Sequence, residues 1–203
     1  MAVITISRDF ASGGRQLGRL LAKKLDYQYV DKSLFQKIAE DLNVSEKTLE
    51  SFEKSREYRI SNVFSRIFSK SYIERIVGYD KSVVEEHEYQ ISLKNLILGV
   101  AQEDNVVIIG RAAYYFLKEM ENCYHINLFA PMDWREKYAV EKRGTPRDRV
   151  KEIIEKRDIN ELWFRRFMCG ESFDDQSLFH LNLNISLISF EKAVDVIMAL
   201  ANL

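Results

Sequence analysis

The chain has 203 residues, 46% of them apolar and 30% charged, with a net charge of −1: material for one α/β domain with a sizeable core, and no global charge to draw it to nucleic acid or a membrane surface. Its two cysteines, Cys123 and Cys169, have neither disulfide-framework nor metal-ligand spacing, which points to a reducing, cytoplasmic compartment. No apolar run approaches the ~20 residues that span a bilayer, and the first residues read as a strand, not a signal peptide.

In chain order, Ala2 to Ile6 is a short apolar run that predicts a buried strand. It turns through Ser12, Gly13 and Gly14 into a helix that carries Leu17, Leu20, Leu21 and Leu25 on one face. Strand, glycine turn and helix form a phosphate-binding arrangement, because backbone N–H groups converge at the turn and the helix N-terminus adds unpaired donors. Against the pattern G-x-x-x-x-G-K-[ST], Arg15 stands at the lysine, Gln16 at the hydroxyl residue and Asp9 at the first glycine. A glycine turn also arises for steric reasons alone, so this segment leaves both readings open.

Asp26 to Val30 predicts a turn into a second short strand, ended by Asp31, with Ser33 capping a helix that carries Leu34, Phe35, Ile38 and Ala39. Asp31 is readable either as a site residue or as a helix cap. Residues 41–104 hold many charges, no proline and the single glycine Gly78, and predict a mostly helical insertion. Its start resembles a capping box at Asn43 and Glu46. Its last helix runs from about Val83 to Ala101, with Ile91, Leu93, Leu96, Ile97 and Val100 buried. Phe64, Phe68 and Tyr72 either pack on the body of the chain or face a partner subunit, which makes the insertion a candidate surface for self-association.

Val106–Ile109 has the continuous β-branched character of a buried parallel strand, followed at once by Gly110 and Arg111 and then a helix from Ala112 to about Met120. Tyr124–Phe129 is another strand. Pro131 opens a basic helix through Arg135 and Arg143, and Thr145 is expected to cap the next, with Pro146 and Asp148 in its first turn. Basic residues from Arg135 to Arg166 alternate with acids, so a solvated face and an anion-binding face both fit. His180–Asn184 is the last strand candidate, and Ser189 caps a terminal helix. His87, His125 and His180 are isolated, and no metal site is expected on them. Strands alternating with helices call for a parallel sheet covered on both faces, with ligands beyond the C-terminal strand ends. The Ser12–Arg15 turn, Asp31 and Gly110-Arg111 all fall at such ends.

With these residues collected, the chain resembles the cytidylate kinase-like family, a branch of the P-loop nucleoside monophosphate kinases. ISRDFASGGRQLG is similar to that family's S-R-E-F-G-S-G-G-R-x-I-G, and VVIIGRAAYYFL to its V-I-V-G-R-G-A-D-x-x-L. INLFAPMDWREKYAVEKRG resembles the strand and basic helix leading into the family's lid, and HLNLNISLISFEKAVDVI its closing strand, turn and helix. The resemblance implies a parallel-sheet P-loop nucleoside-kinase-like fold in one domain, residues 1–203, with residues 41–104 as a helical, acceptor-side insertion and 135–178 as lid-like basic helices.

It further implies transfer of the terminal phosphoryl group of ATP to a nucleoside monophosphate, with cytidylate the expected acceptor, and with magnesium. Ser12, Gly13, Gly14, Arg15 and Gln16 would hold the donor phosphates, Arg15 bridging them in place of lysine. Asp31 and Arg111 would serve the acceptor, and Arg143, Arg157 and Arg165 would close over the transferring group. The partner implied is a small nucleotide, with neither nucleic acid nor membrane. Against the family pattern, Ala11 and Ala112 replace glycines and Tyr115 stands near an aspartate. In the lid's D-x-x-R-x-x-Y, Asp158 is followed by Glu161 and Phe164. Those departures carry a second reading, a nucleotide-binding protein without turnover, and the insertion carries a third, an oligomerisation or partner module.

Overall fold

The computed structural model describes residues 2–31 and 86–203. The predicted helix at Ser33, the capping box at Asn43 and Glu46, the body of the insertion and the aromatics Phe64, Phe68 and Tyr72 lie outside the described residues.

The chain runs through β1 (Val3–Arg8), α1 (Gly14–Leu25), β2 (Gln28–Val30), α2 (Glu86–Ala101), β3 (Val106–Ile109), α3 (Ala113–Phe116), β4 (Cys123–Phe129), α4 (Met132–Arg143), α5 (Val150–Cys169), β5 (Leu181–Asn184) and α6 (Phe190–Leu200). The five strands form one parallel sheet in the order β2-β3-β1-β4-β5. β1 aligns Val3 with Val106 and Ile6 with Ile109 on one side, and Val3 with Cys123 through Arg8 with Leu128 on the other.

Because side chains alternate across a strand, the central strands feed two cores. Val3, Val106 and Ile108 join Leu93, Leu96, Ile97 and Val100 of α2 on one face. Ile4, Ile6, Val107 and Ile109 join Leu17 and Leu21 of α1 and Val194 and Ile197 of α6 on the other. Helices therefore cover both faces, as the continuous apolar strands require. A third, smaller core of Ala11, Ala139, Val150 and Ile154, flanked by Phe10 and Tyr138, fastens the first turn to α4 and α5.

Several expected boundaries move. β1 continues to Arg8, two residues past the apolar run, because its backbone stays paired with β4 up to Leu128. Ile91 is 44% exposed rather than buried, whereas Leu93, Leu96, Ile97 and Val100 are buried as expected. The helix after β3 is a single turn, Ala113–Phe116. Thr145 does not cap α5. Gly144, at φ 66°, ends α4, and the Thr145 N–H donates back to the Ala139 carbonyl at 3.1 Å. Residues from Pro146 then form a turn, and α5 starts at Val150. Ser189 does cap α6, its Oγ accepting from the Lys192 N–H at 3.3 Å.

Candidate functional site

The C-terminal ends of β2, β3 and β1 lie side by side, which brings the first turn, Asp31 and Gly110-Arg111 to one sheet edge. The register enforces this: the Gly110 N–H donates to the Ile6 carbonyl at 2.9 Å and the Asp9 N–H to the Leu128 carbonyl at 3.1 Å.

The first turn is built on left-handed residues. Ala11 has φ 63° and Gly13 φ 80°, and Gly14 is already helical. A left-handed residue followed by a helical one turns successive N–H groups toward a common centre, the geometry of an anion nest at the start of α1. Ser12 is fully buried, and its Oγ donates to the Asp9 and Leu128 carbonyls at 3.0 and 3.4 Å, so its hydroxyl is spent on holding the turn. Beside it, Gly110, Arg111 and Ala112 have φ values of 70°, 59° and 54°, three left-handed residues in succession. Two of them carry side chains, at a cost of roughly 1–2 kcal/mol each. Such strain clusters where the chain must aim a functional group.

Between these two turns and α5 lies a cleft of about 470 Å³. Arg8, Arg15, Arg111, Arg143 and Arg157 line it, opposed among the described residues by two carboxylates, Asp9 and Glu161. Phe10 organises the side formed by α4 and α5: the Arg143 guanidinium lies 4.4 Å from its ring centre and that of Arg157 5.7 Å. Arg111 lies 5.7 Å from the ring centre of Phe164. Burial, then repulsion from Arg15, and further repulsion from Arg157 and Arg8, hold the Arg143 guanidinium below its ordinary pKa. Arginine nevertheless stays charged, so the cluster is a concentrated positive field in a partly dehydrated space. Burial is also the main influence on Asp9, raising its carboxyl with help from Asp158 against the pull of Arg135 and Arg165 and an Ala130 N–H.

Of the residues singled out in the sequence, Arg15, Arg111, Arg143, Arg157 and Gly14 line this cleft. Arg165 does not; its Nε is buried without a hydrogen-bond partner among the described residues, and its charge is felt by Asp9, Tyr114 and Cys169. Asp31 is 2% exposed and absent from the wall; it accepts from the Tyr29 hydroxyl at 3.0 Å and lies 3.4 Å from Arg15 Nε. Arg15 and Tyr29 are thus two of its contacts. Gln16 lies outside the cleft in a neighbouring groove, its Oε1 accepting from the Tyr138 hydroxyl at 3.0 Å. Arg135, grouped in the sequence with the basic lid residues, is 7% exposed. It donates to both Asp158 oxygens at 3.0 and 2.7 Å and to the Phe10 carbonyl at 3.2 Å, which makes it a tie between α4, α5 and the first turn.

Sequence reasoning missed Phe10, and for Arg8 and Asp9 it left open whether they pair with each other or line the site. Arg8 had a signal, since it ends β1 as Arg111 follows β3, and both strand ends open on the same edge. Phe10 had none, because the cations it gathers are far away in the chain. Among the described residues no group of three or more histidine, cysteine or acidic side chains is placed to hold a metal ion.

A parallel five-stranded sheet whose first strand leads through a glycine bend into a helix, with basic helices after the fourth, is a P-loop kinase fold. The sequence profile of the cytidylate kinase-like family matches residues 3–187, and the chain belongs to that family. No curated protein sequence matches it. A crystal structure of an uncharacterized protein from Eubacterium ventriosum ATCC 27560 is similar, with a TM-score of 0.69 and 18% identity over 100% of this chain and 99% of that one. Shikimate kinase from Bacteroides thetaiotaomicron has a TM-score of 0.52 and 19% identity, covering 100% of this chain and 99% of that one. Shikimate kinase from Acinetobacter baumannii, in complex with shikimate, gives 0.51 and 14%, covering 98% and 92%. At these identities the likeness shows the fold alone. Among the described residues no helix is long and apolar enough to cross a membrane.

Proposed function

We propose that the cleft binds ATP and a nucleoside monophosphate, and that the protein transfers the terminal phosphoryl group of the first to the second. The observation that carries this reading is the convergence of Arg8, Arg15, Arg111, Arg143 and Arg157 on one cleft beside the Gly13-Gly14 bend. Phosphoryl transfer is mostly positioning and charge neutralisation, and arginine supplies both, through a planar fork that can hold two phosphate oxygens. In this reading the N–H groups from Gly13 onward and Arg15 hold the donor's β- and γ-phosphates, with Asp31 fixing Arg15 through Nε. Arg111 holds the acceptor phosphate. Arg143 and Arg157, gathered by Phe10, cover the group in flight. An acceptor phosphate oxygen attacks the γ-phosphorus in line, the bond to the β–γ bridging oxygen breaks, and a nucleoside diphosphate forms as ADP leaves.

Magnesium fits with one protein carboxylate. Asp9 lies on the wall with its carboxyl raised by burial, a penalty that a divalent cation relieves, and magnesium usually takes one or two carboxylates together with phosphate oxygens and water. When bound, it would neutralise charge on the donor phosphates. Gln16, held by Tyr138, supplies no hydroxyl for it.

A thermal-shift panel of nucleoside mono- and triphosphates with and without magnesium, followed by a coupled kinase assay on the hits, tests the reading. A ligand at a hundred times its Kd adds about 2.7 kcal/mol, which for a chain of this size raises Tm by roughly 5–10 °C. Arg15→Ala is expected to abolish transfer and Arg111→Ala to weaken acceptor binding. No shift with any nucleotide rejects the proposal. A second reading, binding without turnover, is favoured by the Glu161–Arg8 ion pair at 3.0 Å and by the engagement of Gln16 with Tyr138. It predicts the same thermal shift with no product on any monophosphate, and measured transfer excludes it.

A further inference from the structure

Arg8 takes an unusual path. Its stem runs over the first residue of α1: a methyl group added to Gly14 would sit 2.9 Å from Arg8 Cγ and 3.0 Å from Cβ. Its head lies against the end of β3: a methyl added to Gly110 would meet the guanidinium carbon at 2.9 Å. Both distances are too short for a real side chain, so the start of α1 and the end of β3 go without one where Arg8 passes. At the end of this path Arg8 Nη1 donates to Glu161 Oε1 of α5 at 3.0 Å, and both side chains are 28% exposed. Glu161 thereby sets a carboxylate against one of five guanidinium groups lining the same cleft.

We propose that Arg8 is a phosphate-binding residue of this cleft and that Glu161 is its built-in competitor, a carboxylate that an incoming di- or triphosphate must displace from the Arg8 fork. The inference rests on reading the cleft as a phosphate site. The ion pair satisfies part of the repulsion among the clustered arginines, but with a single negative charge. A phosphate chain brings several charges and more acceptor oxygens, and it matches the guanidinium fork at least as well. Glu161 also repels the same anion from close range, so it raises the affinity threshold for small monoanions more than for polyphosphates. Because Glu161 lies on α5 and Arg8 on β1, release of the pair couples phosphate arrival to freedom of the lid helix.

The test uses pyrophosphate, which needs no base recognition, titrated by calorimetry into the full-length chain and its variants, with thermal unfolding of each variant as the folding control. Glu161→Gln keeps the size and a hydrogen bond but removes the charge, and is expected to tighten pyrophosphate binding about three- to tenfold. Arg8→Gln is expected to weaken it at least about tenfold. In the Arg8→Gln background, Glu161→Gln is expected to have no further effect. If Arg8→Gln does not fold, Arg8→Lys, which keeps the stem over Gly14, is expected to lose a similar factor because an ammonium cannot span two oxygens. Unchanged or weaker binding in Glu161→Gln overturns the inference, as does an equal gain in the absence of Arg8 or pyrophosphate binding by neither protein. Nucleotide binding without this pattern removes the inference and leaves the proposed function standing. The pattern with pyrophosphate but no response to any nucleotide does the reverse.

Discussion

Gly13 and Ala11 show how narrowly the first turn is specified. At Gly13 the backbone is left-handed, and an added methyl would overlap the Phe190 ring of α6. Strain of about 1 kcal/mol and overpacking of about 1–3 kcal/mol then act together. Gly13→Ala is expected to cost about 2–4 kcal/mol in a urea titration, with loss of pyrophosphate binding. Ala11 is equally left-handed, but its methyl is buried against Ala139, Val150 and Ile154. Burial of one methyl, about 0.8 kcal/mol, offsets a large part of the strain of roughly 1–2 kcal/mol. That balance is why alanine is tolerated at a turn position where glycine would be the steric default. Phe10 acts at the same scale. Phe10→Leu keeps an apolar side chain but loses the ring beneath Arg143 and Arg157, worth about 0.5–1 kcal/mol. A two- to fivefold weaker Kd for triphosphate, with little change in stability, is the expected result by calorimetry.

At the scale of elements, a partly buried ion pair ties α4 to α5. Arg135 of α4 holds Asp158 of α5 through both carboxylate oxygens, and the Phe10 backbone closes the group, its carbonyl accepting from Arg135 and its N–H donating to Asp158 Oδ1 at 3.4 Å. Removing one partner of such a pair strands the other in a poorly solvated place. Asp158→Ala is expected to cost about 3 kcal/mol in equilibrium urea unfolding, somewhat below the fully buried case because Asp158 is a third exposed. The double variant Arg135→Leu with Asp158→Leu should recover part of that loss while still impairing nucleotide binding, since the first turn loses its anchor. This separates a positioning role from a purely structural one. The same pair explains why the basic run between Arg135 and Arg166 does not behave as one surface. Arg135 is structural, Arg143 and Arg157 face the cleft, and Arg165 sits apart from it. Helical spacing alone does not divide them, because the division depends on what packs against each turn.

For the whole molecule, pH dependence is set partly by a group far from the cleft. His125 on β4 is buried between Thr5, with which its Nδ1 shares a hydrogen bond of 2.8 Å, and His180, whose Nδ1 accepts from the His125 N–H at 3.0 Å. Burial, then the charge of His180, lowers its pKa to about 4 despite a backbone hydrogen bond to Leu117. The folded chain therefore resists protonation at His125 down to about pH 4, whereas the unfolded chain takes up that proton near pH 6.5. Stability is expected to be full above pH 6.5, to fall on the order of 3 kcal/mol between 6.5 and 4, and to gain no further slope from this residue below that. Urea midpoints across that range, compared with those of His125→Asn, measure it; an unchanged slope in the variant refutes the assignment.

Much of this molecule can be read from local chemistry. The β-branched run Val106–Ile109, the glycine bend before Leu17 and Leu21, and the cap at Ser189 are short-range instructions, and each forms the element its residues call for. Parallel order and the meeting of three strand ends follow from the alternation of strands and helices, so Arg15 and Arg111 could be assigned to one edge from the sequence. Other features depend on side chains that meet only after folding: the route of Arg8 over two glycines to Glu161, the gathering of Arg143 and Arg157 on Phe10, the withdrawal of Arg135 to Asp158 and the use of Asp31 to hold Arg15. A guanidinium carries the same charge in each of these places. Which carboxylate or ring lies within reach decides its role, and that distance exists only in the tertiary structure.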